Sequence, residues 1–121
     1  MDLVVRAFRL REGREEELEE FSRQLSGPRA QQARDFYRRY GVARESWHVQ
    51  RTPVGTWIIC VTEIPDRPVE EAAEEYAASE TEFDDWFKNQ VERLTGINPG
   101  MQPLGPPTEC VFDTKAIGSG A

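Results

Sequence analysis

The residue types able to do chemistry concentrate in one stretch, Glu45–Glu63 (ESWHVQRTPVGTWIICVTE), which carries the chain's single histidine, two of its three tryptophans and one of its two cysteines. His48 supplies an imidazole, suited to taking a proton from an acidic organic molecule or to binding one. Placed with Arg6, Gln50, Cys60 and Thr62, it forms the best candidate site: His48 as base, the other four as polar ligand contacts. Trp57, Trp86 and Phe87 supply apolar walls. His48 with Cys60 as a nucleophile pair lacks a third residue to orient it. The same polar residues also suit an interface between subunits, and the aromatic ones suit a core.

Other chemistries have no residues to carry them. There is no phosphate loop, dinucleotide fingerprint or nucleophile elbow. The acidic run Glu70, Glu71, Glu74, Glu75, Glu80, Glu82, Asp84, Asp85 is dense, but a transition-metal site would want histidine beside it and the chain has one. It reads as a solvated face, and neither metal nor cofactor is expected. The basic residues Arg29, Arg34, Arg38, Arg39 and Arg44 complement that face across a dimer. Cys60 and Cys110 have no metal or redox spacing. A net charge of −7 argues against a nucleic-acid partner. No apolar run approaches the ~20 residues of a membrane span. The opening MDLVVRAFRL lacks the apolar segment of a signal peptide, so a cytoplasmic location and no membrane partner are expected.

These residues must be positioned by the elements around them. At 121 residues, with 38% hydrophobic and 10% aromatic residues, the chain suits one globular domain, expected over residues 1–115, with a flexible tail at 116–121. The central stretch reads as a hairpin. Thr52-Pro53-Val54-Gly55 fits a type I turn followed by a left-handed glycine, a three-residue loop. That register sets His48 opposite Cys60, Gln50 opposite Ile58 and Arg51 opposite Trp57, the last as a cation–π pair. One face then carries Trp47, Val49, Trp57, Ile59 and Val61. The other carries Ser46, His48, Gln50, Ile58, Cys60 and Thr62.

Residues 2–10 alternate as a first strand. Leu18, Phe21 and Leu25 follow a helical stripe behind Glu15, Glu16 and Glu17, and Ser26-Gly27-Pro28 ends it, so helices are expected over about 14–26 and 28–40. Val69–Ala78 reads as an acidic helix. Ser79-Glu80-Thr81-Glu82 is a capping pattern before the strongest apolar stripe: Phe83, Trp86, Phe87, Val91 and Leu94, closed by Gly96. The Pro/Gly-rich loop 98–107 is expected to close part of a pocket with Met101 and Leu104 pointing inward. Thr108–Lys115 reads as a last strand. The order is ferredoxin-like βαββαβ, an α+β fold with an antiparallel sheet of order 4-1-3-2 and its helices on one face.

The fully apolar set, with Leu3, Val5 and Ala7, is expected under the helices. That leaves Val4, Arg6, Phe8, Ser46, His48, Gln50, Ile58, Cys60, Thr62, Cys110 and Phe112 on a face too apolar for water and too polar for a dry core. A second copy covering it gives a homodimeric α/β barrel with a half-polar lumen. The plan, the short chain and the GREEELEEF opening of the first helix resemble the dimeric α/β-barrel superfamily. The segments RESWHVQRTPVGTWIICVTE and FDDWFKNQVERLTG are similar to one bacterial family of that type with no assigned reaction. The resemblance spans residues 2–114. It implies the fold and a pocket between sheet and helices or in the lumen, but no reaction. Haem-degrading members of that superfamily carry their ligand histidine on a helix; His48 reads as a strand residue, which departs from that pattern. The expected role is binding of a small organic molecule. Two alternatives stand beside it: a cofactor-independent monooxygenase-like or isomerase-like enzyme with His48 as base, and a non-catalytic structural dimer.

Overall fold

The computed structural model describes residues 2–106 and 108–118. Strand β1 (Asp2–Arg9) leads into helices α1 (Glu15–Ser26) and α2 (Ala30–Arg39). Strands β2 (Arg44–Thr52) and β3 (Gly55–Ile64) form the hairpin. Helices α3 (Val69–Ala78) and α4 (Glu82–Thr95) follow, and a 3-10 turn spans Thr114–Ile117. The fold is α+β with an antiparallel three-stranded sheet of order β1-β3-β2.

The helices obey their local signals. Thr81 caps α4, its hydroxyl accepting from the Asp84 amide at 3.2 Å. Gly96 closes the same helix at φ 77°, a left-handed conformation that costs glycine nothing. The core is aromatic. Phe21 is 2% exposed and meets Trp47, Trp86 and Phe87 at centroid distances of 5.5, 5.4 and 5.3 Å. Phe36 lies 4.6 Å from Phe87. Tilted and edge-on pairs of this kind add about 0.5–1.5 kcal/mol each beyond the area they bury.

The hairpin corrects the expected register. Thr52 pairs with Gly55, so the loop is the two residues Pro53 and Val54, and every β2 residue shifts by one against β3. Trp47 now faces Cys60, His48 faces Ile59, and Gln50 faces Trp57. The turn is fixed by side chains. The Thr52 hydroxyl donates to the Gly55 carbonyl at 2.7 Å and accepts from the Val54 amide at 3.3 Å. The Arg9 guanidinium donates to the Val54 carbonyl at 2.6 Å and lies where a Cβ on Gly55 would sit. Arg51 pairs with Thr56 and meets Glu15 at 3.3 Å, so the expected cation–π contact with Trp57 is replaced by an ion pair.

A one-residue shift exchanges faces. The helix side of the sheet carries Phe8, Ile58, Cys60, Thr62 and Ile64, all buried, together with Arg6, Glu45 and Trp47. Leu3, Val5, Ala7, Trp57, Ile59 and Val61 take the open side with His48 and Gln50; Leu3 is 57% exposed. The β1 and β3 assignments are therefore the reverse of those expected, while Trp47 and Val49 keep theirs. Both faces of β1 and β3 are apolar, so alternation alone does not choose between them.

The last expected strand is absent: Thr108–Asp113 has no strand partner and its side chains are exposed. Ala116 and Ile117, expected in a tail, belong to the 3-10 turn, and residues 119–121 lie outside the described residues, as does Pro107 of the loop. Among the described residues no helix is long and apolar enough to cross a membrane, and no His/Cys/Asp/Glu group is arranged to hold a metal.

Candidate ligand-binding cavity

A cavity of ≈ 90 Å³ lies between the helix side of the sheet and helices α2–α4. Phe8, Phe36, Tyr76, Phe87 and Val91 make its wall apolar, and the loop after α4 closes it with Pro99, Pro103 and Leu104. Gly105 sits against the Phe8 ring, where a Cβ would come within 2.3 Å, so that loop presses directly on the site. Leu104 points inward as expected, whereas Met101 is 82% exposed.

One polar cluster interrupts the apolar wall. Glu45 is 8% exposed at its side chain and receives four donors. Arg6 Nη2 at 3.3 Å and Thr62 Oγ1 at 2.7 Å reach Oε1; Tyr37 Oη at 2.7 Å and Trp47 Nε1 at 3.0 Å reach Oε2. A carboxylate offers about four lone-pair directions, so Glu45 has none left to act as a free base. Arg6 also reaches Thr62 Oγ1 at 3.2 Å and Cys60 Sγ at 3.1 Å, all through Nη2. Its Nε–H is buried without an acceptor, and its guanidinium lies 5.7 Å from the centre of the Phe8 ring. Burial, then the charge of Glu45, pushes the Cys60 thiol up to about 12, so it stays protonated and is no nucleophile at neutral pH. Burial and Glu45 likewise push Tyr37 and Tyr76 up, keeping both phenols as neutral donors. Glu45 is thus saturated with donors, and burial keeps the thiol and both phenols protonated.

The structure thus brings together Arg6, Cys60, Thr62 and Phe87, and separates the other expected site residues from them. His48 is exposed on the opposite side of the sheet, its Nε2 2.9 Å from Ser46 Oγ, with Gln50 and Trp57 on that same side. Trp86 packs on Phe21 with the Arg29 guanidinium 4.3 Å from its ring centre, away from the cavity lining. Two of the basic residues expected to bridge a dimer find carboxylates within the chain instead: Arg39 meets Asp84 at 2.9 Å and Arg29 meets Glu82 at 3.0 Å.

Glu45 and Tyr37 are absent from the expected site. Glu45 had a signal: it lies two residues before Trp47 and four before Val49, so the inward period of β2 carries it inward too. Tyr37 sat among residues read as core. Comparison with family models, curated proteins and solved structures finds no match for this chain.

Proposed function

We propose that the protein binds a small organic molecule in the cavity beneath its helices, with Arg6 and Thr62 as polar contacts and Phe8, Tyr76 and Phe87 as walls. The observation that carries this reading is a hollow of ≈ 90 Å³ with one hydrogen-bonded polar cluster in a mostly apolar wall. A well-packed domain keeps few voids larger than a water molecule. This one exceeds the ~10–15 Å³ a single water needs, and falls below the ~300–1,000 Å³ of sites for drug-sized ligands. The ligand is therefore small, with an apolar body and one group that accepts from Arg6.

The reading extends to assembly. The order β1-β3-β2 is the ferredoxin-like order 4-1-3-2 with its fourth place open beside β1, which supports membership of the dimeric α/β-barrel superfamily. The open sheet face, with Leu3, Val5, Ala7, Trp57, Ile59 and Val61, is the surface a second copy would cover. In that homodimer His48 and Gln50 line the lumen, and this is where the enzymatic alternative, with His48 as base, would operate. A purely structural dimer is the remaining alternative.

Titration of the ¹⁵N-labelled protein with benzoate, phenol and indole separates these. Amide shifts at Phe8, Glu45, Tyr76 and Leu104, with a rise in Tm that grows with probe concentration, are expected. Shifts confined to Ser46, His48 and Gln50 would move the site to the lumen, and no shift with any probe would leave the structural dimer.

A further inference from the structure

A buried arginine at a cavity wall ordinarily calls for an anionic guest. Here the charge is already answered. Among the described residues that line the ≈ 90 Å³ cavity, Arg6 and Glu45 alone are ionised, and they lie 3.3 Å apart. Their charges cancel, so the wall is polar without carrying net charge. A carboxylate entering it would give up its water for a space whose one cation is held by another carboxylate. The like charge of Glu45 would oppose it further.

What the ion pair leaves open is hydrogen bonding. The bonds of the Arg6 guanidinium to Glu45, Cys60 and Thr62 all run through Nη2, and Nη1 meets no acceptor among the described residues. Lys88 reaches the backbone carbonyl of Tyr76 at 3.1 Å and leaves its hydroxyl without a partner among them. Arg6 Nε is the one fully enclosed side-chain nitrogen or oxygen without a partner among the described residues. Nη1 and the Tyr76 hydroxyl therefore both keep accessible surface, and both residues line the cavity. Burial, then Glu45, push the Tyr76 phenol up while Arg6 works against them, so the phenol is a neutral donor within the field of the guanidinium. The acceptors are spent by comparison. Glu45 takes four donors, and the Thr62 hydroxyl donates to Glu45 and accepts from Arg6. The Thr95 hydroxyl donates to the Val91 carbonyl at 2.7 Å and accepts from the Ile97 amide at 3.1 Å.

We propose that the cavity selects an uncharged carbonyl compound, a ketone, aldehyde or ester, whose oxygen accepts from Arg6 Nη1 and the Tyr76 hydroxyl. A carbonyl oxygen offers two lone pairs to two donors and has no hydrogen that would need the saturated Glu45. Its apolar remainder lies against Phe8, Phe87 and Val91. A site built on hydrogen bonds to one group discriminates against an analogue that lacks it, because the donors are then left unmet. The inference rests on the cavity reading proposed above and adds the charge and the functional group of its ligand.

Titrations of the ¹⁵N-labelled protein at pH 7 with acetophenone, benzoate and toluene test it, since the three share a ring and differ in one group. Acetophenone is expected to bind roughly tenfold or more tightly than benzoate, which is ionised at that pH. Tyr76→Phe, which removes a single hydroxyl, should weaken acetophenone about fivefold and leave toluene unchanged. Glu45→Gln, which uncovers the Arg6 charge, should raise the affinity for benzoate relative to acetophenone roughly tenfold. If that variant does not fold, the wild-type ratio and Tyr76→Phe decide. Cavity amides that shift with none of the three probes overturn both this inference and the cavity reading. Cavity amides that shift with toluene, while benzoate binds as tightly as acetophenone or Tyr76→Phe leaves acetophenone unchanged, overturn this inference alone.

Discussion

The molecule has two places where an arginine, a buried carboxylate and a tyrosine meet, and they differ in what lies beside them. Asp84 is fully buried and takes Arg39 at 2.9 and 3.2 Å, the Tyr40 hydroxyl, and the Thr81-capped turn of its own helix. Its cluster fixes α2 against α4, and Arg39 keeps 42% of its side chain in solvent. Glu45 is bound as fully, but its arginine is 14% exposed and the cluster borders a cavity. An ion pair that fills its space serves architecture. One that stands at the wall of an empty space, with an unpartnered Nε–H behind it, is where the proposed ligand would meet the protein.

Removing each carboxylate sharpens that contrast, and Glu45→Ala should be the more damaging change. Arg6 would be left charged, buried and unpaired, at a cost of about 3–5 kcal/mol in denaturant unfolding. If the loss were below 1 kcal/mol, on the order of an exposed pair, Arg6 would have to escape to solvent and the cavity wall would not be rigid.

Asp84→Ala should cost less, about 1.5–3 kcal/mol, because water receives the freed side of Arg39. Asp84 also has a pH signature. Burial raises its pKa, but the hydrogen bonds from Ser79, Tyr40 and Arg39 outweigh this and hold it below the usual carboxylate range. A depressed pKa contributes stability that is complete above the unfolded value, near about 4, and is lost as pH falls toward the folded one. Stability of the wild type measured from pH 5 down to pH 2 should therefore fall more steeply than that of Asp84→Asn. Parallel curves would remove Asp84 from the account.

The smallest effect is expected from His48→Ala. His48 is exposed, so the change should stay within about 0.5 kcal/mol and leave probe binding at the cavity unaltered. Dissociation of the proposed dimer in size-exclusion chromatography would instead make His48 an interface residue. Loss of turnover with the dimer intact would favour the enzymatic alternative.

The sequence by itself determined the helices. Acidic first turns, the Thr81 cap, Gly96 and the stripe from Phe83 to Leu94 are local, and their boundaries fall within about two residues of expectation. It also determined the order of the first three strands, since right-handed crossovers leave little choice. Tertiary structure decided the face of each strand and hence the site. β1 and β3 are apolar on both sides, so their pattern is degenerate, and a turn one residue shorter, held by Thr52 and by Arg9 from another strand, reset the register. That shift separated His48 and Gln50 from Arg6, Cys60 and Thr62, and brought Glu45 and Tyr37 in. The segment from Thr108 has strand-like composition, yet no described residue covers Val111, Phe112 or Ile117. A strand requires a partner as well as a pattern, and the pattern alone is what a sequence carries.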